Sequence, residues 1–270
     1  LAEGKGEVYR AGQFFTYFAA EVLRQIGGNA DSVRPGVEID IRREPMGVVA
    51  VISPWNFPVA TASWKIAPAL AFGNAVIWKP ATQTPASAWT LSEIISRSGL
   101  PDGAFQLVMG SGSNIGNGLA EHSGIDAITL TGSYDVGRQV AAAAASNLTK
   151  VQLELGSKNA LLVMDDADMD LAIAASVAGA YSGTGQKCTA SSRLLVHDRV
   201  HDTFVEKLSS AISNLIVGHA LEDGTQIGPV ISAEQLRSNL DWMDKARQAG
   251  ATVVTGGERL TLVHDGYYMS

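Results

Sequence analysis

The sequence has one cysteine in 270 residues. A lone thiol excludes an internal disulfide framework, and one sulfur without a neighbouring histidine makes a poor zinc site, so no metal centre is expected. Long apolar runs are missing too. Met46 to Ser53 is too short to span a bilayer, and Asn74 and Lys79 interrupt the next apolar stretch. Positive charge is in deficit: the net charge is −7 and the isoelectric point is near 5.2. That balance argues against broad nucleic-acid or anionic-membrane binding. Leu1 to Glu7 lacks the apolar core of a secretion signal, and with a single cysteine this points to a reducing, cytoplasmic setting. There are no internal repeats, and the Ala141 to Ala145 run is simply good helix material. What remains is an acidic, globular composition, 46% apolar and 17% charged, with an enzymatic role expected.

The cysteine sits in GTGQKCTASSR, residues 183 to 193. Free cysteine is often a small buried residue, and that reading stays open for Cys188. Its surroundings suggest the other one. Gly183, Gly185, Gln186, Lys187 and Thr189 form a polar, flexible approach with no apolar alternation, which suits a reactive thiolate.

Along the chain, Tyr9 to Gly27 carries apolar residues at helical spacing. Val37 to Arg43 alternates as a strand with one wet face, and Gly47 to Ser53 is a wholly apolar strand of the kind buried on both sides of a parallel sheet. Helix and strand then alternate: helices near 60–72, 86–98, 115–121 and 136–146, strands at 75–79, 105–109, 127–130 and 151–155. This rhythm predicts a doubly wound α/β sheet. It resumes beyond a domain change near Gly156, with strands at 160–164 and 193–197 and helices at 171–181 and 201–216. The expected domains are 1–155 and 156–270. The chain opens without methionine, and Gly266 to Ser270 has strand-like composition with nothing after it to pair with, so a piece of a longer protein is expected.

Four places carry candidate chemistry, each with a plainer alternative. Gly110, Gly112 and Gly116 follow a strand and open a helix, as a phosphate-binding turn would, although the spacing is one residue longer than the usual dinucleotide fingerprint; they could equally form a tight loop. Lys79 ends the neighbouring strand at the carboxyl edge, where open α/β sheets bind ligands, or is an ordinary solvated lysine. Asn56, between Pro54 and Pro58, is either a fixed amide donor for an oxyanion or one residue of a rigid turn. Glu154 ends an apolar strand, where a carboxylate would be costly to desolvate, so it either pairs structurally or has a raised pKa for acid–base work. Gln152 shares its face.

In this order, PWNFP (54–58), WKIAPAL (64–70), GNAVIWKP (73–80), GLPDGAFQLVMG (99–110), LTGSYDVGR (130–138), LELGSKNA (153–160) and GQKCTASSR (185–193) resemble the aldehyde dehydrogenase superfamily. The resemblance runs along essentially the whole chain. It implies a doubly wound NAD(P)-binding domain over 1–155, with 36–46 an oligomerisation strand whose partner is absent, and a truncated catalytic domain over 156–270. A family member would carry further segments at both ends, including a glutamate-containing ribose-binding motif and a last oligomerisation strand. By the same resemblance, Cys188 is the nucleophile, Glu154 the general base, and Asn56, with the Cys188 N–H, the oxyanion donor. Ser53, Pro54, Trp55, Lys79, Thr82, Gly112, Gly116, Ser133, Val136 and Gly156 fall at cofactor positions. Phe57, Thr61, Trp64 and Tyr181 fall on the substrate tunnel. The parent protein is expected to be a homodimer or homotetramer.

Two departures matter. Ser157 stands where the family's ELGGK motif has glycine, and Thr82 stands where NAD-preferring members often carry glutamate, which makes NADP acceptable. Lys187, just before the nucleophile, could attract a substrate carboxylate or face away. The GQKCTASSR form is similar to that of 2,5-dioxopentanoate (α-ketoglutarate semialdehyde) dehydrogenases, with succinate semialdehyde dehydrogenases next. Transfer of the acyl group to coenzyme A is disfavoured by Glu154, and a non-catalytic scaffold or inactive fragment is the alternative of another class.

Overall fold

The computed structural model describes residues 1–270. Residues Ala2–Leu155 form one compact unit and Gly156–Ser270 another.

The first unit is built on strands β3 (Val48–Ile52), β4 (Ala75–Lys79), β5 (Phe105–Leu107), β6 (Ala127–Gly132) and β7 (Lys150–Leu155), all parallel in the order β5-β4-β3-β6-β7. The apolar run of β3 follows from its central place. Val49 and Val51 pack on one side with Ala62 and Ile66 of α2 (Ala60–Ala71) and Leu91 and Ile95 of α3 (Pro85–Ser96). Ala50 and Ile52 pack on the other with Ala120 of α4 (Asn117–Glu121) and Val140 and Ala144 of α5 (Tyr134–Ala145). Each fully buried valine, leucine or isoleucine contributes about 1.5–3 kcal/mol. Strand order reverses between β3 and β6, so the crevice outside their carboxyl ends is the place where such sheets take ligands.

Before the sheet, helix α1 (Ala2–Glu21) begins seven residues earlier than its apolar spacing suggested and ends in a short turn, Val22–Arg24. A strand unmarked in the sequence, β1 (Gly28–Asp31), pairs antiparallel with β2 (Glu38–Ile41). The Val37 to Arg43 segment therefore has β1 on one side, and the other edge of this two-stranded sheet is unpaired.

In the second unit, β8 (Asn159–Val163) and β9 (Ser191–Val196) pair in parallel, with a register shift at Asn159/Ala160. Helices α6 (Met169–Tyr181) and α7 (Asp198–Ser213) accompany them, and the unforeseen α8 (Ala233–Gln248) follows. In the terminal segment, β11 (Tyr268–Met269) pairs antiparallel with the preceding β10 (Arg259–Leu260). No helix is long and apolar enough to cross a membrane.

Candidate active site

At the carboxyl edge of the first unit's sheet, β3 runs into Ser53 and the Pro54–Pro58 turn. Ser53 is buried, and its hydroxyl accepts a hydrogen bond from Trp78 Nε1 at 2.8 Å. Pro54, Trp55 and Asn56 beyond it are half-buried. The Phe57 N–H donates to Asn56 Oδ1 at 3.1 Å, leaving the amide nitrogen as the donor end of the side chain. Lys79 ends β4 almost fully buried and donates from Nζ to the Pro80 carbonyl at 2.9 Å; burial lowers its pKa.

After β5 the chain makes a wide turn over Gly112–Gly116. The N–H of Gly116 reaches back five residues to the Ser111 carbonyl, and Ser111 Oγ accepts from Asn114 N at 3.2 Å. This π-type turn absorbs the extra residue between the glycines. Gly110 and Gly112 differ sharply. A Cβ at Gly110 would meet Ile115 Cγ1 at 2.4 Å, whereas one at Gly112 would meet nothing within 4 Å. A Cβ at Gly116 would lie 3.9 Å from the Lys79 stem, so turn and lysine share one place. Ser133 caps α5 by accepting from Val136 N at 3.4 Å. Thr82 is exposed and bonds Gln83.

A second feature of this unit went unread in the sequence. Edge strand β7 turns Val151, Leu153 and Leu155 inward and leaves Gln152 and Glu154 on an exposed face. The expectation of a carboxylate desolvated at a buried strand end is corrected accordingly: an edge strand has one open face. That face borders a cavity of about 690 Å³ whose wall includes Trp64, Lys65, Thr129, Gln152 and Glu154. Lys65 Nζ donates to Thr129 Oγ1 at 2.8 Å and to Gln152 Oε1 at 3.2 Å, Thr129 also bonds Gln152, and Gln152 Nε2 donates to Glu154 Oε1 at 2.7 Å. Burial lowers the Lys65 pKa to about 8, and the Glu154 charge opposes the fall. The signal was present, because Lys65 is the lone charged residue of a twelve-residue, mostly apolar helix.

Among the residues expected on a substrate tunnel, Phe57 and Trp64 are half-buried. Thr61, in the first turn of α2, is 2% exposed.

The remaining candidates lie in the second unit, which Gly156 opens. Gly183, Thr184 and Gly185 are consecutive left-handed residues, with φ of 63°, 59° and 67°. A β-branched threonine there is strained, and strain of this kind gathers at functional loops. Thr184 Oγ1 donates to the Gly228 carbonyl at 3.3 Å, and a Cβ at Gly185 would meet the Ala180 carbonyl oxygen at 2.8 Å. Asn159 Nδ2 spans the next turn, donating to the Cys188 carbonyl at 2.7 Å and to that of Ala190 at 3.1 Å. The β8–β9 register shift begins at that asparagine, and bulges beside active sites re-aim side chains. Cys188 is a free, partly buried thiol. Lys187 turns back on α6, donating to Ser182 Oγ and to the Ala178 carbonyl at 3.3 Å, so a substrate carboxylate would compete with these partners. Tyr181 ends α6 with its phenol pKa raised by partial burial.

The first unit is thus an open doubly wound α/β domain, with a glycine turn and a buried lysine at its carboxyl edge. The chain belongs to the aldehyde dehydrogenase family, whose model matches residues 1–270. It is 42% identical over its whole length to an α-ketoglutaric semialdehyde dehydrogenase of Bacillus subtilis, covering 56% of that protein. Over 96% of its length it is 40% identical to the succinate-semialdehyde dehydrogenase [NADP(+)] GabD of Escherichia coli, covering 54%. Among solved structures, betaine aldehyde dehydrogenase of Staphylococcus aureus in complex with NAD+ superimposes with a TM-score of 0.94 at 36% identity, over 97% of this chain and 52% of that one. The chain therefore spans about half the length of the curated relatives it matches.

Proposed function

We propose that the protein containing this chain oxidises a short carboxyl-bearing semialdehyde, 2,5-dioxopentanoate to 2-oxoglutarate, by hydrolytic thiol chemistry in the reducing cytoplasm. The observation that carries the reading is the single free thiol, Cys188, on a strained loop anchored by Asn159. The thiolate adds to the aldehyde carbon, and the carbonyl π pair moves to the oxygen, where the Asn56 amide and the Cys188 N–H receive the charge. NAD or NADP, when bound, supplies the acceptor for the hydride that leaves that carbon. A buried lysine beside an open glycine turn fits such a group. Lys79, Gly112 and Gly116 would hold its polar backbone, with Ser53, Pro54, Trp55, Thr82, Ser133, Val136 and Gly156 around it. Glu154 then takes a proton from water, whose oxygen displaces Cys188 from the thioester and frees the acid. Gln152 Nε2 donates to Glu154 Oε1, and Lys65 Nζ holds Gln152 Oε1 in turn, so these bonds orient the carboxylate, whose exposed face can return the proton to solvent.

The α-ketoglutaric semialdehyde relative supports this choice of aldehyde, and the GabD relative supports succinate semialdehyde as the alternative. The test is reduced-nicotinamide formation by the full-length protein with 2,5-dioxopentanoate, succinate semialdehyde and an unbranched aliphatic aldehyde, each with NAD and NADP. The expected result is the highest kcat/KM for 2,5-dioxopentanoate, use of both cofactors, and loss of turnover in Cys188→Ala. Preference for the aliphatic aldehyde would overturn the substrate reading, and turnover by Cys188→Ala would overturn the mechanism.

A further inference from the structure

The amino end of α2 has no cap of its own. Val59 occupies the capping position with an apolar side chain, so its N–H and that of Ala60 need an acceptor from elsewhere. Glu7 of α1 supplies it. Its Oε1 lies 2.7 Å from Val59 N and 2.9 Å from Ala60 N, across more than fifty residues of sequence. The reach depends on α1 being docked against α2. Ala11 is the one residue of α1 that is buried, Phe15 packs on the core, and Phe14 meets Trp64 edge-on at 5.8 Å. Asn56 lies three residues before Val59. Its amide oxygen holds Phe57 N, while the Phe57 carbonyl holds Thr61 N at 3.0 Å inside the first turn of α2. The Asn56 turn is therefore stitched to the very turn that Glu7 caps.

We propose that Glu7 is a positioning residue: by fixing the first turn of α2, it sets the direction of the Asn56 amide toward the developing oxyanion. The inference rests on the reading of Asn56 given above. Geometry and charge pull in opposite directions at this spot. The carboxylate fixes the helix end, but its negative charge partly cancels the positive field which that end presents to the oxyanion. Glu7→Gln separates the two, because it retains an acceptor and removes the charge.

The experiment measures kcat, KM for aldehyde, cofactor Kd and thermal midpoint in the full-length protein, with rates normalised to titrated Cys188 thiol. The variants are Asn56→Ala, Glu7→Ala, Glu7→Gln and the Asn56→Ala/Glu7→Ala pair. Asn56→Ala is expected to lower kcat about 10²-fold, the usual loss for an oxyanion donor. Glu7→Ala is expected to lower kcat about 10-fold, with KM and cofactor Kd unchanged, as a misplaced group does. Glu7→Gln should stay within about 3-fold of wild type, and the double variant within about 3-fold of Asn56→Ala alone. If Glu7→Ala turns over like wild type per thiol, or if the two losses multiply in the double variant, the inference is overturned while the Asn56 reading stands. If Asn56→Ala loses nothing, the reading of Asn56 falls and takes the inference with it. Should Glu7→Ala fail to fold, Glu7→Asp replaces it, because a side chain one methylene shorter cannot reach both N–H groups. A several-fold loss of kcat at constant KM supports the proposal, and no loss overturns it.

Discussion

Lys65 shows how one side chain ties the fold to the site. Its ammonium is held by Thr129 and Gln152 at the wall of the cavity that Glu154 also lines. Its pKa is lowered by burial from 10.5 to about 8 in the folded protein. Between those values the unfolded chain holds more protons at this residue than the folded one, so this group adds stability as pH rises through the window. Below about pH 8 the buried charge is a penalty of roughly 3 kcal/mol, at 1.36 kcal/mol per pKa unit. Wild type is therefore expected to gain stability relative to Lys65→Met as pH is raised from about 7 to about 10, by up to about 3 kcal/mol. Urea denaturation of both proteins across that range checks it, and a constant difference would contradict the assignment. Glu154→Gln should lower the Lys65 pKa further, because the glutamate charge is what opposes the fall.

Legibility at this scale divides by distance along the chain. Cys188, Asn56 and Lys79 stood out because each is a reactive or polar type in a setting that local sequence alone marks as unusual. Glu154 was found for a partly mistaken reason, since its strand is an edge and its face open. Glu7 and Thr129 could not be read. Their meaning lies in contacts to Val59 and Lys65, more than fifty residues away, and no local pattern encodes them.

Among the elements, the glycine turn after β5 makes the sharpest prediction. The sequence treats Gly110 and Gly112 alike, but the structure does not. Gly110→Ala puts a methyl 2.4 Å from Ile115 Cγ1 and must move the turn, whereas Gly112→Ala extends into open space. Gly110→Ala is expected to destabilise by about 1–3 kcal/mol, the usual scale of overpacking. Gly112→Ala should leave thermal stability near wild type. Instead it should weaken binding of the dinucleotide, whose approach to the backbone the new methyl obstructs. Melting curves and cofactor titration of the two variants separate these effects, and equal behaviour would contradict the geometry.

Strand β3 was legible because burial on both faces leaves an unbroken apolar run, and β4 falls at the residues expected, Ala75–Lys79. The ribbon strand β1 and helix α8 were not. β1, Gly-Asn-Ala-Asp, has neither alternation nor β-branched residues, and its pairing with β2 is a tertiary fact. Helix α8 is strongly polar, with Leu236 its only buried residue, so its apolar stripe is thin.

For the whole molecule, local rhythm carried the α/β class and the order of motifs carried the family, which the match over residues 1–270 establishes. The chain spans about half the length of the relatives it matches, and the joint action of Asn56, Glu154 and Cys188 on one substrate is a proposal for the whole protein. The central claim is that Cys188 forms a thioester which Glu154 then hydrolyses. Rapid mixing of the full-length Glu154→Gln variant with aldehyde and cofactor tests it most directly. The expected result is a burst of reduced nicotinamide equal to the titrated Cys188 thiol, followed by near-arrest, with the acyl group recovered on Cys188. Undiminished steady turnover, or a burst that persists in Cys188→Ala, would contradict it.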